Sequence, residues 1–177
     1  MKPVVGVFIC HCGNNIAGII DIEKLKANAS AEGVACVEDY PYLCSGDGQS
    51  LIKDRVKALG LDRVVVAACS PDVHERTFRE CIAEAGLNPY LLDIANIREQ
   101  CTWVPSEDPT DRAADIIRSS IYAVQRARPL DNITIIAEKS VLVIGGGIAG
   151  ITAALALAKQ GIHVHLIEKS PTIGGNM

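Results

Sequence analysis

Aromatic side chains are scarce in this sequence, at only 4% of its 177 residues. Positive charge is not in surplus either, since 17 Lys and Arg face 21 Asp and Glu, which gives a net charge of −4. Modules that bind nucleic acids combine a basic face with aromatic rings on which bases stack. The composition therefore argues against a nucleic-acid partner.

Long apolar runs are missing as well. No hydrophobic stretch approaches the ~20 residues that a helix needs to cross a bilayer, and the N-terminal apolar segment, residues 4–10, is too short and wrongly flanked for a signal peptide. The chain is 49% hydrophobic and carries charges of both signs, which is typical of an ordinary globular protein. We therefore expect a cytoplasmic location.

Paired C-x-x-C motifs are absent, although the chain contains seven cysteines. Such pairs are typical of structural zinc sites, so their absence disfavours an ordinary zinc knuckle. Disulfides are rare in a reducing cytosol, and a surplus of cysteine there indicates metal or redox chemistry. Any single cysteine can still be a small buried apolar residue.

Apolar and amphipathic segments alternate along the chain in a pattern that predicts strands alternating with helices. Strands are predicted at residues 4–9, 34–37, 63–68 and 89–94, and helices at 21–28, 50–59, 71–85 and 111–128. This order favours parallel pairing with right-handed crossovers. We predict an α/β fold, with a small parallel-sheet N-terminal domain at residues 1–139. The first βαβ unit of a Rossmann-like FAD-binding domain follows at 140–177, and residues 133–137 are a candidate for one further short strand.

Most of the cysteines follow predicted strands. The five in this position are Cys10, Cys12, Cys44, Cys69 and Cys101. Loops after parallel strands open on one edge of the sheet, where ligands bind, so these thiols are expected to converge. Cys36 lies inside a strand and Cys81 inside a helix, and both are interpreted as core residues. A convergent set of thiolates can hold zinc or an iron–sulfur cluster, and thiols without a ligand remain the alternative.

A glycine-rich motif, Gly145–Gly150, follows the apolar segment 141–144 and opens an alanine-rich helix. In that context the pattern G-x-G-x-x-G predicts a dinucleotide site, with Gly145, Gly147 and Gly150 allowing the tight turn and the close approach of the phosphates. The pyrophosphate is expected at the helix N-terminus, near Ile148 and Ala149. A second strand ends at Glu168, at the spacing expected for an acid that binds ribose hydroxyls.

The residues after this motif distinguish between cofactors that the motif itself does not separate. Glu168 and Lys169 are followed by Gly174 and Gly175. This arrangement resembles the two-dinucleotide-binding flavoproteins, the glutathione- and thioredoxin-reductase superfamily, in which the cofactor is FAD. The resemblance therefore implies FAD here.

Several short stretches around the cysteines carry a more specific resemblance. They lie at residues 8–13, 42–45, 68–75, 86–90 and 96–101. In this order they resemble the A subunit of heterodisulfide reductase and its relatives, including the quinone-interacting oxidoreductase flavoproteins of sulfate reducers. The resemblance extends over essentially the whole chain.

The resemblance implies an iron–sulfur flavoprotein subunit of anaerobes. In methanogens such complexes reduce the coenzyme M–coenzyme B disulfide and couple this to ferredoxin reduction by electron bifurcation at FAD. The implied partners are the sister heterodisulfide reductase subunits, a hydrogenase or formate dehydrogenase, and ferredoxin. The N-terminal domain would carry one [4Fe–4S] cluster, with five cysteines as candidates for four positions and Cys10 as the expected spare.

Members of this family are longer than this chain. We therefore expect it to be a truncated or fragmentary piece of such a subunit, or one half of a split subunit, inactive by itself and working within a hetero-oligomer. The alternative is a non-catalytic module that docks partner subunits, with thiols that are structural or bind zinc.

Overall fold

A computed structural model describes residues 3–131 and 133–175. The chain divides into two compact units, Met1–Asp131 and Asn132–Met177, whereas the sequence pattern places the boundary near Ser140. Residues 133–139 have no regular secondary structure and belong to the second unit. None of the helices in the described parts of the chain is long and apolar enough to cross a membrane.

The first unit contains a four-stranded parallel sheet, which confirms the predicted α/β fold. Its strands are β1 (Val5–Cys10), β2 (Cys36–Tyr40), β3 (Arg63–Ala68) and β4 (Leu92–Asn96), in the spatial order β2-β1-β3-β4. Its helices are α1 (Asn14–Ala17), α2 (Ile22–Ala31), α3 (Gly46–Leu59), α4 (Pro71–Glu84) and α5 (Pro109–Arg126). Because β1 is followed by β2 on one side and β3 lies on the other, the strand order reverses at the carboxyl ends of β1 and β3. Ligands bind at this kind of position in open α/β sheets.

Both faces of the sheet are covered, as continuous apolar strands require. Along β1 the side chains alternate, so that Val7 and Ile9 pack in one core with α2 and α5. Phe8 and Cys10 pack in the opposite core with α3 and α4. A side chain in a loop that follows a strand can therefore pack into the core on either face of the sheet.

Helix starts agree well with the sequence signals. Asp21 and Ser70 cap α2 and α4 as predicted, with side-chain oxygens that accept from Lys24 N and Asp72 N. The largest difference concerns α3, which begins at Gly46 instead of residue 50 because Ser45 caps it through Gly48 N. Cys44 therefore stands directly before a helix start, which the amphipathic pattern alone does not reveal.

Two further differences affect the loops. The four-residue helix α1 and the π-helical turn Arg98–Thr102 were not predicted, since neither is long enough to show an apolar period. The proposed short strand at residues 133–137 is wrong. That segment pairs with no strand, and Ile133, Ile135 and Ile136 are 80–95% exposed.

The second unit is a βαβ motif. Strand β5 (Ser140–Ile144), helix α6 (Ile148–Lys159) and strand β6 (His163–Ile167) follow one another, and the two strands pair in parallel from Ser140 opposite His163 to Ile144 opposite Ile167. This strand–helix–strand unit has the element order predicted for residues 140–177.

Candidate functional site

Four loops meet at the carboxyl edge of the first unit's sheet. Cys10 is the last residue of β1, Cys12 lies in the following turn, Cys44 precedes α3 and Cys69 lies between β3 and α4. Backbone hydrogen bonds hold the loops together: Gly13 N donates to Pro41 O (3.4 Å), which ties the loop after β1 to the loop after β2. These connections place the thiols where the strand order reverses.

The electrostatics of Cys10 show that three of these thiols are neighbours. Burial is the main factor that raises the pKa of Cys10, and repulsion from the thiolates of Cys12 and Cys44 raises it further. The backbone N–H groups of Leu43 and Cys12 act in the opposite direction, and Cys12 N donates to Cys10 Sγ at 3.4 Å. The Cys10 sulfur thus sits among donors that would stabilise a thiolate.

Cys69 belongs to the same group. Burial raises its pKa, the guanidinium of Arg98 opposes this shift, and the thiolates of Cys12 and Cys10 raise the pKa again. We refer to Cys10, Cys12, Cys44 and Cys69 as the thiol site. Cys10 and Cys69 are buried, while Cys12 and Cys44 are half-buried. The site is therefore partly accessible to solvent, on the side of Cys12 and Cys44.

The turn that carries Cys12 has an unusual backbone. Cys12 has a φ of 49°, and it is the one residue other than glycine with a positive φ in the described parts of the chain. Gly13 follows with a φ of 58°, and a side chain there would meet the hydroxyl of Tyr42. Strained conformations of this kind persist where the surrounding structure enforces them and concentrate at functional sites.

The structure separates Cys101 from the thiol site. Cys101 lies in the π-helical turn and is 0% exposed, within the core formed with α5, on the other face of the sheet from Cys10. Burial raises the pKa of Cys101, and the charge of Arg112 opposes this shift. The geometry therefore favours Cys101 over Cys10 as the cysteine outside the site.

The two cysteines interpreted as core residues also lie outside the thiol site. Cys81 is 1% exposed, its Sγ contacts Gln49 O at 3.4 Å, and burial raises its pKa to about 11. Cys36 is half-buried in β2, opposite Gly6 of β1, and burial raises its pKa as well. The charges that act on their pKa values are those of Lys53 and Glu84 for Cys81, and of Glu38 and Arg55 for Cys36.

Two helices begin at the site. Ser45 caps α3 directly after Cys44, and Ser70 caps α4 directly after Cys69, with Pro71 in the first turn. Helix N-termini present free N–H groups and a positive dipole end, which favour a neighbouring thiolate. His11 is turned to another partner, because its Nε2 is 2.7 Å from Asp39 Oδ2, while Lys26 Nζ donates to the other carboxylate oxygen, Asp39 Oδ1.

Arg98 is the site residue that sequence reasoning missed. Its Nη1 donates to Cys12 Sγ at 3.1 Å across 86 positions of sequence. Ile97 N donates to Ala68 O (2.9 Å), and this bond holds the loop after β4 beside Cys69. The only sequence signal was that Arg98 lies in the short stretch before Cys101, which carried the family resemblance.

The spacing of the site bears on which ligand it suits. Within residues 3–131 and 133–175, no three His, Cys, Asp or Glu side chains are close enough together to hold a single metal ion. A cubane iron–sulfur cluster binds each external thiolate on a different iron, so its cysteines stand farther apart than those around one zinc ion. The four thiols of the thiol site, with a backbone donor at Cys10, are a donor set that such a cluster could accept.

In the second unit, the glycine motif forms a tight turn between β5 and α6. Gly145 has a φ of 101°, which a side chain would strain, and a Cβ on Gly150 would collide with the carbonyl oxygen of Gly145. Gly147 is the N-cap residue of α6 and makes no side-chain cap, so the N–H groups at Ile148 and Ala149 begin the helix with no side chain covering them. This geometry is suited to a phosphate.

Glu168 lies beside that turn, at the end of β6. Its carboxylate accepts hydrogen bonds from Ser170 N (2.9 Å) and Gly146 N (2.7 Å), and these bonds lower its pKa. Glu168, Lys169, Ile144, Gly145 and Ile167 line a cleft of about 320 Å³. The carboxylate is thus ionised and fixed beside the turn that leads into α6.

The two predicted glycines at the end of the motif close the turn from the other side. Gly174 N donates to Gly146 O at 2.7 Å, and Gly174 pairs with Gly147 in an isolated parallel bridge. Gly174 and Gly175 have φ values of 122° and 67°, and a Cβ on Gly175 would press on the Cα of Gly147. All the residues predicted for the dinucleotide site therefore surround one turn.

Comparison with known proteins shows what the chain is similar to. Residues 143–177 match a family model described as an NAD(P)-binding Rossmann-like domain. The chain is 49% identical over 177 residues to an iron-sulfur A subunit of CoB–CoM heterodisulfide reductase from Methanopyrus kandleri, covering 98% of this chain and 26% of that protein. It is 46% identical over 180 residues to the A subunit of the H2:CoB-CoM heterodisulfide, ferredoxin reductase of Methanothermobacter thermautotrophicus, covering 99% of this chain and 27% of that protein.

A third relative has a related name. The A subunit of the ferredoxin/F420H2-dependent CoB-CoM heterodisulfide reductase of Methanosarcina acetivorans is 50% identical over 177 residues, or 98% of this chain and 22% of that protein. The similarity to heterodisulfide reductase A subunits inferred from the short stretches is therefore confirmed over nearly the whole chain. The chain spans about a quarter of the length of these relatives.

Proposed function

We propose that this chain, which is similar over nearly its whole length to the A subunits of heterodisulfide reductases, is the electron-transferring N-terminal part of an iron–sulfur flavoprotein subunit. The observation that carries the proposal is the convergence of Cys10, Cys12, Cys44 and Cys69 at the switch point of a parallel sheet. These four thiols would hold one [4Fe–4S] cluster, which when bound supplies one-electron transfer.

The protein's own contribution is to prepare the thiols. Burial raises the pKa of Cys10 and Cys69, so the free thiols carry their protons at neutral pH and release them when they become ligands. Backbone N–H groups near Cys10 and the starts of α3 and α4 would then stabilise the thiolates. The half-buried position of Cys12 and Cys44 leaves one side of the site open to an electron partner.

The second unit would bind FAD. The first turn of α6, at Ile148 and Ala149, would hold the pyrophosphate, and Glu168 would accept hydrogen bonds from the adenosine ribose. The choice of FAD over a nicotinamide cofactor depends on the Glu168-Lys169 and Gly174-Gly175 pattern and its resemblance to flavoproteins. No apolar side chain of the described part of this unit is buried, so we expect no reductase activity from this chain by itself.

In the whole subunit, these sites would serve the reduction of the coenzyme M–coenzyme B disulfide or a related disulfide, coupled to ferredoxin reduction by flavin-based electron bifurcation. Partners would be the sister heterodisulfide reductase subunits together with a hydrogenase or formate dehydrogenase, and ferredoxin. The printed names of two relatives mention ferredoxin and the heterodisulfide, which supports this class of reaction.

Iron and acid-labile sulfide analysis of the anaerobically purified or reconstituted chain tests the proposal. We expect about four irons and four sulfides per chain, as a cubane requires. Cys44→Ala and Cys69→Ala should lose most of the iron, whereas Cys36→Ala and Cys81→Ala are matched controls that should keep it. Zinc without sulfide, a metal-free natural chain, or full iron after loss of Cys44 or Cys69 would refute the cluster assignment.

A further inference from the structure

Arg98 holds a singular position at the thiol site. Among the described residues, it is the one side chain that donates a hydrogen bond to any of the four site thiols, through Nη1 to Cys12 Sγ at 3.1 Å. Its charge also acts on Cys69, whose thiolate it favours. A single guanidinium thus bonds one thiol of the site and acts through its charge on another.

The guanidinium is held on both sides. Arg98 Nε and Nη2 donate to Glu99 Oε1 at 3.1 and 2.7 Å, and the ring of Trp103 lies 4.6 Å from the Arg98 Cζ. Glu99 N in turn donates to Asn96 Oδ1 at the end of β4. The Arg98 side chain is only 17% exposed, and a guanidinium stays protonated at any physiological pH. It is therefore a fixed and permanent positive charge.

Glu99 carries the opposing charge. Its Oε1 accepts from Arg98, while its Oε2 is buried and has no hydrogen-bond partner among the described residues. The Glu99 carboxylate also lies close enough to Cys69 to disfavour that thiolate. The site thus has a cation and an anion side by side, of which only the cation bonds a thiol.

From this geometry we propose that Arg98 tunes the reduction potential of the cluster held by the thiol site, and that Glu99 shifts this potential in the opposite direction. The inference rests on the function proposed above. Reduction adds negative charge to a cluster and its thiolates, so a hydrogen-bond donor and a nearby cation stabilise the reduced form more than the oxidised form. Arg98 would raise the potential and Glu99 would lower it.

A redox titration of the reconstituted 177-residue chain, followed by visible absorbance and electron paramagnetic resonance, tests this. Arg98→Gln removes the charge, and at the potential where the natural chain is half-reduced it should lower the ratio of reduced to oxidised cluster about tenfold, a midpoint shift of about −59 mV for one electron. Glu99→Gln should shift the midpoint upward. Arg118→Gln is the matched control, because Arg118 pairs with Glu32 and Asp115 away from the thiols, and its midpoint should not move.

The outcomes separate this inference from the function on which it rests. A natural chain without iron and sulfide refutes both. A natural chain with a cluster whose midpoint is unchanged or raised in Arg98→Gln overturns the role of Arg98 alone. If Arg98→Gln does not retain the cluster, Glu99→Gln decides: an upward shift supports the charge pair as the controlling feature, and no shift overturns it.

Discussion

Replacement of Cys101 by alanine provides a sharp test of which cysteines form the thiol site. Cys101 is fully buried among Ile97, Ala113 and Ile117, apart from the four converging thiols. Its sulfur is comparable in size to one methylene, whose burial contributes about 0.8 kcal/mol. A residual cavity would bring the total cost of Cys101→Ala to about 1–2 kcal/mol. We therefore expect a less stable first unit with an intact site.

Two measurements on the same preparations check this. Urea unfolding of the apo chain, followed by circular dichroism, should show the loss of stability, and thermal unfolding should show a melting temperature lower by about 3–8 °C for a unit of this size. Iron and sulfide content after reconstitution should equal that of the natural chain. Cys69→Ala is the matched comparison, since Cys69 is also buried but belongs to the site, and it should lose the iron. If Cys101→Ala lost as much iron as Cys69→Ala, the separation of Cys101 from the site would be wrong.

Four further outcomes are expected. Burial raises the pKa of Cys81 to about 11, so its stabilising contribution is complete below the unfolded thiol pKa of ~8.5. Above that pH the contribution decreases by about 1.4 kcal/mol per pH unit until the pH reaches the folded value. The difference in unfolding free energy between the natural chain and Cys81→Ala should therefore shrink over this range, and a constant difference would contradict this. Gly150→Ala should disturb the start of α6 in circular dichroism, because its Cβ would collide with the Gly145 carbonyl oxygen. Gly147→Ala meets open space, so this variant should stay folded but bind ADP more weakly. Identical behaviour of the two variants would argue against the turn geometry. Glu168→Gln should weaken ADP binding about tenfold through loss of a charged acceptor, but leave 2′,3′-dideoxy-ADP unaffected, and equal losses for both ligands would exclude ribose recognition. In hydrogen exchange the second unit should be far less protected than the first, because two strands without buried apolar side chains are marginal; equal protection in a monomer would contradict this.

Local chemistry was readable from the sequence alone. Asp21 and Ser70 were recognised as caps because a short oxygen-bearing side chain before an amphipathic run satisfies free helix N–H groups wherever the run lies. β3 was predicted with its observed bounds, because a short run of apolar residues after Arg63, bounded by polar turns, is typical of a buried strand. The turn around Gly145 and Gly150 was predicted for the same reason, as its steric requirements are set within one βαβ unit.

The composition of the thiol site was decided by tertiary structure. Sequence order places five cysteines after strands, but it does not say into which of two cores each following loop turns. The π-helical turn directs Cys101 into the core beside α5, whereas Cys10 ends its strand on the opposite face. Only strand pairing and packing determine such a choice, because sequence periodicity describes one element at a time.

Arg98 illustrates the same limit over a longer distance. Its contact with Cys12 joins positions 86 residues apart, and it depends on the order β2-β1-β3-β4, which sets the loops after β1, β3 and β4 side by side. The sequence by itself determined the order of strands and helices in the first unit, most helix starts, the dinucleotide turn and the residue types available for chemistry. The tertiary structure decided which thiols meet and which charge accompanies them, because these are contacts between elements whose neighbours are fixed only when the sheet assembles.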